Sequence, residues 1–122
     1  MADHTKLHVW QRSMTLSIAI HQAARDMSTR TAPGLRSQLL RAAASIPANI
    51  AEGAGQHSDA RFAHFLSIAI GSANEVETHL RLARGLEMFD EATWRALDDE
   101  LREVRRMLFG LRRRLLSGAT AN

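Results

Sequence analysis

Apolar residues toward the end of the chain recur at alternating intervals of three and four, and this spacing limits the folds open to the chain. The series comprises Trp94, Leu97, Leu101, Val104, Leu108, Leu111 and Leu115. A heptad pattern of this kind places all its members along one side of an α-helix. Asp90 precedes the series as an N-cap and Gly118 follows it, so a helix is predicted over residues 90–117.

The same helical period appears in three earlier segments, whereas no segment alternates apolar and polar residues as a half-buried strand does. The predicted helices cover residues 5–27, 34–54, 58–85 and 90–117, and Ser58 is predicted to cap the third. Their short connections favour antiparallel neighbours. The sequence therefore predicts an all-α fold, an antiparallel up-down-up-down four-helix bundle that forms a single domain over residues 1–122.

The first helix carries more apolar surface than one bundle core requires. One row comprises Leu7, Trp10, Met14 and Ile18, and another comprises Val9, Leu16, Ile20, Ala23 and Met27. A surface helix of a monomer needs a single apolar stripe of roughly 100°. The additional row predicts burial against something besides the domain's own core, and we therefore expect a homo-oligomer interface on this helix.

The segment SIPANIAEGAG, residues 45–55, carries a proline and two glycines within the second helical pattern. Helical phase continues through Pro47 in the apolar positions Leu39, Ala43, Ile46 and Ile50. A proline inside a helix removes one backbone hydrogen bond, at a cost of about 3 kcal/mol, so a kink is predicted at Pro47. Gly53 or Gly55 is expected to end the helix in the left-handed conformation.

Polar residues beside this segment predict a structural network around the kink. Its members are Arg41, Ser45, Asn49, Glu52, Ser72 and Glu75. Ser45 and Asn49 carry donors for the carbonyls that the proline frees. Glu52 requires a cation or a hydroxyl, for which Arg41 and Ser72 are the candidates. The alternative for the two glutamates is a metal or acid-base site, but the chain lacks the Glu-x-x-His pairs of di-iron bundles.

Three motifs carry a resemblance to a known family: VWQRSM at residues 9–14, SQLLRAAASIPANIAEGAG at residues 37–55 and FAHFLSIAIGSANEVETHL at residues 62–80. The chain resembles the small four-helix-bundle proteins first recognised as open reading frames in ribosomal-RNA intervening sequences. The resemblance extends over residues 7–116. Its most specific element is the SIPxNIAEG motif followed by the FLSIAxGS pattern.

The resemblance implies a bundle that assembles into a ring of five subunits, and it implies no established enzymatic activity. A related branch, the accessory variability proteins of diversity-generating retroelements, works with a reverse transcriptase and RNA through basic surfaces. The family typically places basic residues just after the AEGxG segment, whereas this chain has Gln56, His57 and Asp59 there. Nucleic-acid binding implied by the resemblance is weakened accordingly, because each lost phosphate contact lowers affinity.

The positions of the charges are more informative than their total, which is a net charge of +3. Acidic residues dominate residues 90–103 and arginines dominate residues 104–116, an order that the dipole of a single helix favours. The alternative is a basic patch for nucleic acid or another acidic partner. The candidate nucleic-acid contacts are Arg36, Arg41, Arg112, Arg113 and Arg114.

The chain lacks the residues that most catalytic, nucleotide-binding and metal-binding sites require. There is no cysteine, which excludes disulfides, thiolate metal sites and cysteine nucleophiles. The glycines at residues 53–55 follow no strand and precede no lysine, which argues against a nucleotide loop. His4 and His8 are four residues apart and would share a face of the predicted helix, but a metal site requires further ligands. No catalytic, cofactor-binding or metal-binding residue is predicted, and no small-molecule substrate is identified.

The sequence thus predicts a cytoplasmic, non-enzymatic homo-oligomer, a pentamer by resemblance, without a signal peptide or a membrane span. Its predicted role is that of a nucleic-acid-associated accessory protein, with RNA or DNA and a nucleic-acid enzyme as partners. A protein-interaction scaffold without nucleic-acid binding is the alternative. A metal-binding or hydrolytic bundle is a more remote one.

Overall fold

Four α-helices make up most of the chain in a computed structural model, which describes residues 2–118. They are α1 (His8–Ala23), α2 (Leu35–Ala54), α3 (Asp59–Gly85) and α4 (Glu91–Ser117). Short 3₁₀ helices, His4–Lys6 and Ala24–Asp26, flank α1. No strand occurs among residues 2–118, and none of these helices combines the length and the apolar character that a membrane crossing requires. The predicted all-α fold is confirmed.

The ends of α3 and α4 follow from the capping residues that the sequence contains. The Ser58 hydroxyl accepts a hydrogen bond from the Arg61 amide at 3.2 Å, and Asp90 Oδ1 accepts one from the Thr93 amide at 2.7 Å. Each bond satisfies an amide that the first turn of a helix leaves free. Gly118 ends α4 in the left-handed conformation with φ of 75°. These caps agree with those predicted.

The first helix is shorter than the 23 residues predicted for it, because its two ends form separate 3₁₀ turns. Asp3 Oδ1 accepts a hydrogen bond from the Thr5 amide at 3.0 Å and thereby starts the turn His4–Lys6. Leu7 is extended, with φ of −80° and ψ of 126°, and separates that turn from α1. Met27 is extended at the other end. The α-helical part therefore holds 16 residues.

Helix α2 continues through Pro47, which lies buried inside it. The expected left-handed ending at Gly53 or Gly55 is wrong: Gly53 is inside the helix, and Gly55 has a right-handed φ of −81°. The Gly55 amide donates to the Ala51 and Glu52 carbonyls at 3.3 and 3.2 Å, so the helical turn closes without a reversal of handedness. The kink at Pro47 stays a prediction.

Gly53 is buried where α2 meets α3. A Cβ built on it would lie 2.8 Å from Phe65 Cβ and 2.9 Å from Phe62 Cδ1, closer than side-chain atoms pack. The two helices therefore approach here at a distance that glycine alone allows. Gly71, in the middle of α3, has no such neighbour and faces open space.

The core is shared by all four helices. Helix α3 packs against α2 and α4, and α1 packs against the same two helices from the other side. Burying one leucine or isoleucine stabilises the fold by about 1.5–3 kcal/mol. The largest fully buried aliphatic side chains are Leu16, Ile20, Leu39, Ile46, Ile50, Leu66, Leu80, Leu101 and Leu108.

Side-chain bonds between α3 and α4 reveal the relative direction of these two helices. The farther along α4 a residue lies, the earlier in α3 its bonding partner lies. Three pairs establish this order: Arg84 with Glu91, Glu77 with Arg105, and Ser67 with Arg112. Helices α3 and α4 are therefore antiparallel, and the up-down-up-down topology of the whole bundle stays a prediction.

Candidate nucleic-acid interface

Most arginines are engaged in bonds within the protein. Ten donate from their guanidinium groups to carboxylates, carbonyls or polar side chains: Arg12, Arg36, Arg61, Arg81, Arg84, Arg95, Arg102, Arg105, Arg106 and Arg112. The remaining five have no side-chain partner in the part of the chain that the structure describes: Arg25, Arg30, Arg41, Arg113 and Arg114. An arginine without any side-chain partner is the most available to an anionic ligand.

Two of the five predicted nucleic-acid contacts form such internal bonds. Arg36 Nε donates to the Ala24 carbonyl at 2.9 Å and ties the start of α2 to the end of the α1 region. Arg112 Nε donates to the Ser67 hydroxyl at 2.8 Å and joins α4 to α3. Arg41, Arg113 and Arg114 are exposed and belong to the unpaired group.

The unpaired candidates do not form one patch. The Ala2 amide donates to the Ala54 carbonyl at 2.8 Å, which brings the end of α2 to the start of the chain. Arg41 precedes Ala54 by about 20 Å of helix, at roughly 1.5 Å per residue. Arg114 is instead at the end of α4, beside the residues that open α1.

The sequence-based prediction omitted Lys6, which the fold brings to the same pocket as Arg114. This pocket of about 340 Å³ lies between the start of α1 and the end of α4, and we call it the α1–α4 pocket. Its lining residues are Lys6, Leu7, His8, Val9, Arg106, Met107, Gly110, Leu111 and Arg114. None of them is acidic. No sequence signal links Lys6 to Arg114, because the two residues are nearly a chain length apart.

The cations of the α1–α4 pocket differ in how far they are neutralised. Arg106 Nε donates to Glu103 Oε2 at 3.0 Å, and this bond lowers the pKa of the Glu103 carboxyl. Glu103 therefore stays ionised and offsets the charge of Arg106. Lys6 and Arg114 are exposed and have no side-chain partner among residues 2–118. The positive potential of the pocket is consequently strongest at these two residues.

The acidic part of α4 and its arginines are mostly matched to each other and to α3. Glu77 of α3 accepts hydrogen bonds from Arg105 at 2.6 Å and from Arg81 at 2.9 Å. The Arg105 bond is the main cause of the lowered pKa of Glu77. Asp98, which is 5% exposed, accepts from Arg102 Nε at 2.9 Å. These ion pairs give the charge order of α4 a role in helix packing as well as in the helix dipole.

Within α2, the polar residues near Pro47 bond to the backbone of their own helix. The Ser45 hydroxyl donates to the Ala42 carbonyl and Asn49 Nδ2 donates to the Ser45 carbonyl, each at 2.8 Å. Such bonds to a carbonyl three or four residues earlier are typical of short polar side chains in helices. The two acceptors lie one and two residues from Ala43, and neither of these bonds is to the Ala43 carbonyl that Pro47 deprives of its amide.

The other members of the predicted polar network are not joined to these two. Glu52 has no side-chain bond to Arg41 or Ser72 among the described residues. Glu75 Oε2 is 3.3 Å from His79 Nε2, one turn along the same helix. The polar residues therefore form local contacts within α2 and within α3, and none of the bonds described joins the two helices.

The two N-terminal histidines have different surroundings. The His4 ring packs edge-on against Trp10, with ring centroids 5.1 Å apart, and His8 lines the α1–α4 pocket. Among residues 2–118, no group of three or more histidine or carboxylate side chains is placed to hold a metal ion.

Comparison with known proteins shows which family the chain matches. The family model described as 23S rRNA-intervening sequence protein matches residues 5–110. A solved structure from Bacteroides thetaiotaomicron, a protein with unknown function from the S23 ribosomal protein family, is similar with a TM-score of 0.79 and 26% sequence identity. That match covers 84% of this chain and 96% of the other. Comparison with curated proteins found no match.

These matches confirm the resemblance that the SIPxNIAEG and FLSIAxGS motifs carry, since both motifs fall within the residues that the family model matches. The chain belongs to the 23S rRNA-intervening sequence protein family.

Proposed function

We propose that the protein is a non-enzymatic, homo-oligomeric accessory protein of the cytoplasm, which binds nucleic acid at the end of the bundle where α1 starts and α4 ends. The observation that carries this proposal is the group of cations there whose side chains have no partner among residues 2–118: Lys6, Arg113 and Arg114. Since ion pairs or other hydrogen bonds engage most other arginines, these three are the most available for phosphates. A nucleic-acid enzyme is the expected partner, as in the related retroelement branch.

A phosphate contact from each of these cations predicts a measurable salt dependence. Each contact with a single strand contributes about −0.7 to the slope of log K against log salt concentration, so three contacts give roughly −2. Fluorescence anisotropy with a labelled single-stranded RNA and a labelled DNA, titrated at several salt concentrations, measures this slope. Absence of any anisotropy change at low salt contradicts the proposal.

The two ends of the bundle supply a matched control. Replacing Arg113 and Arg114 by glutamine removes two charges at the proposed interface and reduces the magnitude of the slope by about 1.4. Replacing Arg25 and Arg30 by glutamine removes two equally unpaired charges near the α1–α2 connection. The second pair is expected to leave the slope unchanged. Equal effects of the two pairs contradict a localised interface.

Homo-oligomer formation is supported by the apolar rows of α1. Val9, Leu16 and Ile20 belong to the core, whereas Ile18, from the other row, is 52% exposed. The rest of that row is half-buried: Leu7, Trp10 and Met14. A partly exposed apolar row on one helix favours a contact with another copy. The ring of five comes from the family resemblance.

Light scattering coupled to size-exclusion chromatography tests the assembly. The expected mass is five times the 13.6 kDa of one chain. Ile18→Asp is expected to reduce the mass, and Leu82→Asp, at a position on α3 that is 50% exposed, serves as the control that leaves it unchanged. A wild-type mass equal to one chain contradicts the proposal.

A protein-interaction scaffold without nucleic-acid affinity is the second candidate. It is favoured by the α2–α3 corner, where Gln56 Oε1 accepts a hydrogen bond from Arg61 Nε at 2.9 Å. That bond occupies the arginine nearest to the place where the family carries its basic cluster. An oligomer that binds neither RNA nor DNA at low salt is the result that supports this candidate over the first.

A further inference from the structure

We infer that the α1–α4 pocket binds one nucleoside monophosphate unit, either as a free nucleotide or as the terminal nucleotide of a nucleic-acid strand. The inference deepens the proposed function and relies on it for the choice of a nucleotide among phosphorylated ligands. The pocket has a volume of about 340 Å³, which is at the lower end of the range for small-molecule sites and suits a ligand of this size.

The cationic rim of the pocket matches a phosphate. Lys6 and Arg114 reach it from different helical elements, and neither has a side-chain partner among residues 2–118. Arg106 adds a third cation, shared with Glu103. Because none of the described residues that line the pocket is acidic, a dianionic group meets attraction from Lys6 and Arg114 there without a carboxylate in the lining.

The first turn of α1 strengthens this preference for an anion. The helix begins at His8, and its N-cap is Leu7, which has no side-chain hydrogen bond to the helix amides. No acidic residue occupies the first turn. The positive end of the helix dipole is therefore uncompensated beside Lys6. In α3 and α4, by contrast, Ser58 and Asp90 occupy the equivalent position and bond to the amides.

The apolar side of the pocket matches a ring. Leu7, Met107 and Leu111 are half-buried and Val9 is buried. Together they form an apolar wall, and contact between this wall and water is unfavourable. Inorganic phosphate alone leaves this wall exposed, whereas a nucleobase covers it and keeps its polar edge toward the solvent. The affinity for a nucleotide should therefore exceed that for either of its parts.

Gly110 keeps the space open between the wall and the rim. A Cβ built on it has one neighbour within 4 Å, Arg114 Nη1 at 3.7 Å, which is an ordinary contact distance. The guanidinium of Arg114 thus lies next to a position without a side chain. A large side chain at residue 110 would occupy the pocket without changing its charge.

Isothermal titration of the full chain at low salt with adenosine monophosphate, adenosine and inorganic phosphate tests the inference. Adenosine monophosphate is expected to bind at least about tenfold more tightly than either part, since a tenfold ratio corresponds to about 1.4 kcal/mol. Phosphate binding as tight as that of the nucleotide overturns the inference. So does tighter binding of a short-chain lysophosphatidic acid, which identifies the wall as a site for an acyl chain.

Two matched pairs of variants locate the binding. Gly110→Leu is expected to abolish nucleotide binding, whereas Gly71→Leu, at a helical glycine that faces open space on α3, is expected to retain it. Arg114→Gln is expected to weaken binding about tenfold, and Arg113→Gln, an unpaired neighbour that does not line the pocket, has a smaller effect. Circular dichroism checks that each variant folds. Wild-type affinity in Gly110→Leu, or equal losses in the two arginine variants, overturns the site.

Oligonucleotides separate this inference from the proposed function. A strand with a 5′-phosphate that binds more tightly than the same strand with a 5′-hydroxyl, and loses this advantage in Gly110→Leu, identifies the strand end as the ligand. Equal binding of the two strands, with adenosine monophosphate still bound, identifies the free nucleotide. Salt-dependent strand binding without any nucleotide binding retains the proposed function and overturns the inference. Nucleotide binding without strand binding retains the inference and overturns the proposed function.

Discussion

Helices α3 and α1 face the same two neighbours, α2 and α4, but they pack against them differently. Against α2, α3 brings Phe62 and Phe65 onto Gly53 at a distance that excludes a methyl group. Against α4, it places Glu77 where Arg105 donates to it at 2.6 Å. The first contact is close apolar packing, and the second is an ion pair between two side chains that are mostly buried. The α3 half of the bundle is therefore closed.

Helix α1 leaves more of its surface unfilled. One ion pair links it to α4, with Arg12 Nη2 2.7 Å from Glu100 Oε1, and both side chains are partly exposed. The α1–α4 pocket opens beside it, and Ile18 projects from its outer face. Close contacts are therefore concentrated around α3, while the α1 side of the bundle leaves Lys6, Arg114 and the Ile18 side chain exposed.

The largest effect should come from filling the contact between α2 and α3. Gly53→Ala places a methyl group within 3 Å of both phenylalanines, and we expect it to lower the free energy of unfolding by about 1–3 kcal/mol. Gly71→Ala, in open space on α3, should instead raise it by about 0.5–1 kcal/mol through helix propensity. Urea denaturation of both variants measures the two values. If Gly53→Ala is as stable as Gly71→Ala, α2 and α3 are not in close contact.

The next effect concerns the ion pairs between α3 and α4. Glu77→Gln removes the charge that holds Arg105 and Arg81, and Arg105 is only 18% exposed. Leaving that guanidinium without its carboxylate should cost about 1–2 kcal/mol. Thermal and urea denaturation at neutral pH measure the loss. An unchanged midpoint would show that this pair does not stabilise the bundle.

Glu77 also makes the stability of the α3 half of the bundle depend on pH. Bonds from Arg105 and Arg81 lower the pKa of Glu77 below its ordinary value of 4.5, so the folded state favours the ionised form. The stabilisation is complete above the pKa of the unfolded chain and is lost as the pH falls through the lower folded pKa. The stability difference between the wild type and Glu77→Gln should therefore narrow below about pH 4.5. A difference that persists to pH 2 contradicts this assignment.

The smallest effect is expected at the ion pair that joins Arg12 of α1 to Glu100 of α4. Glu100→Gln breaks the bond to Arg12, but exposed pairs contribute less than about 1 kcal/mol. Measured alongside Glu77→Gln, this variant compares the two sides of α4 directly. A loss at Glu100 equal to that at Glu77 would contradict the distinction between a closed α3 half and an open α1 half.

Much of the fold could be predicted from local patterns. The heptad spacing from Trp94 to Leu115 and the caps at Ser58 and Asp90 depend on neighbours within one helix, where sequence distance and spatial distance agree. The predictions were wrong where contacts between helices determine the local structure. A glycine at position 53 is typical of a helix end, yet Gly53 lies inside α2, where the phenylalanines of α3 leave no room for a side chain.

The candidate site could be predicted only in part. Arginine at positions 36 and 112 looks as available in the sequence as arginine at position 114, because the sequence does not reveal the Ala24 carbonyl or the Ser67 hydroxyl that binds the first two. Lys6 was missed for the converse reason, since its neighbours in space come from the other end of the chain. An isolated lysine near a terminus carries no signal of its own.

Local sequence patterns establish the family, the all-α class and the inward faces of the helices, because the apolar period and the capping residues act over one or two helical turns. Only the packing of the helices establishes which arginines have partners within the protein, which glycine is covered by a neighbouring helix and which one lines a pocket. Those properties depend on side chains from different helices meeting at distances of a few ångströms. A local stretch of sequence does not specify such distances, because they depend on how the four helices pack.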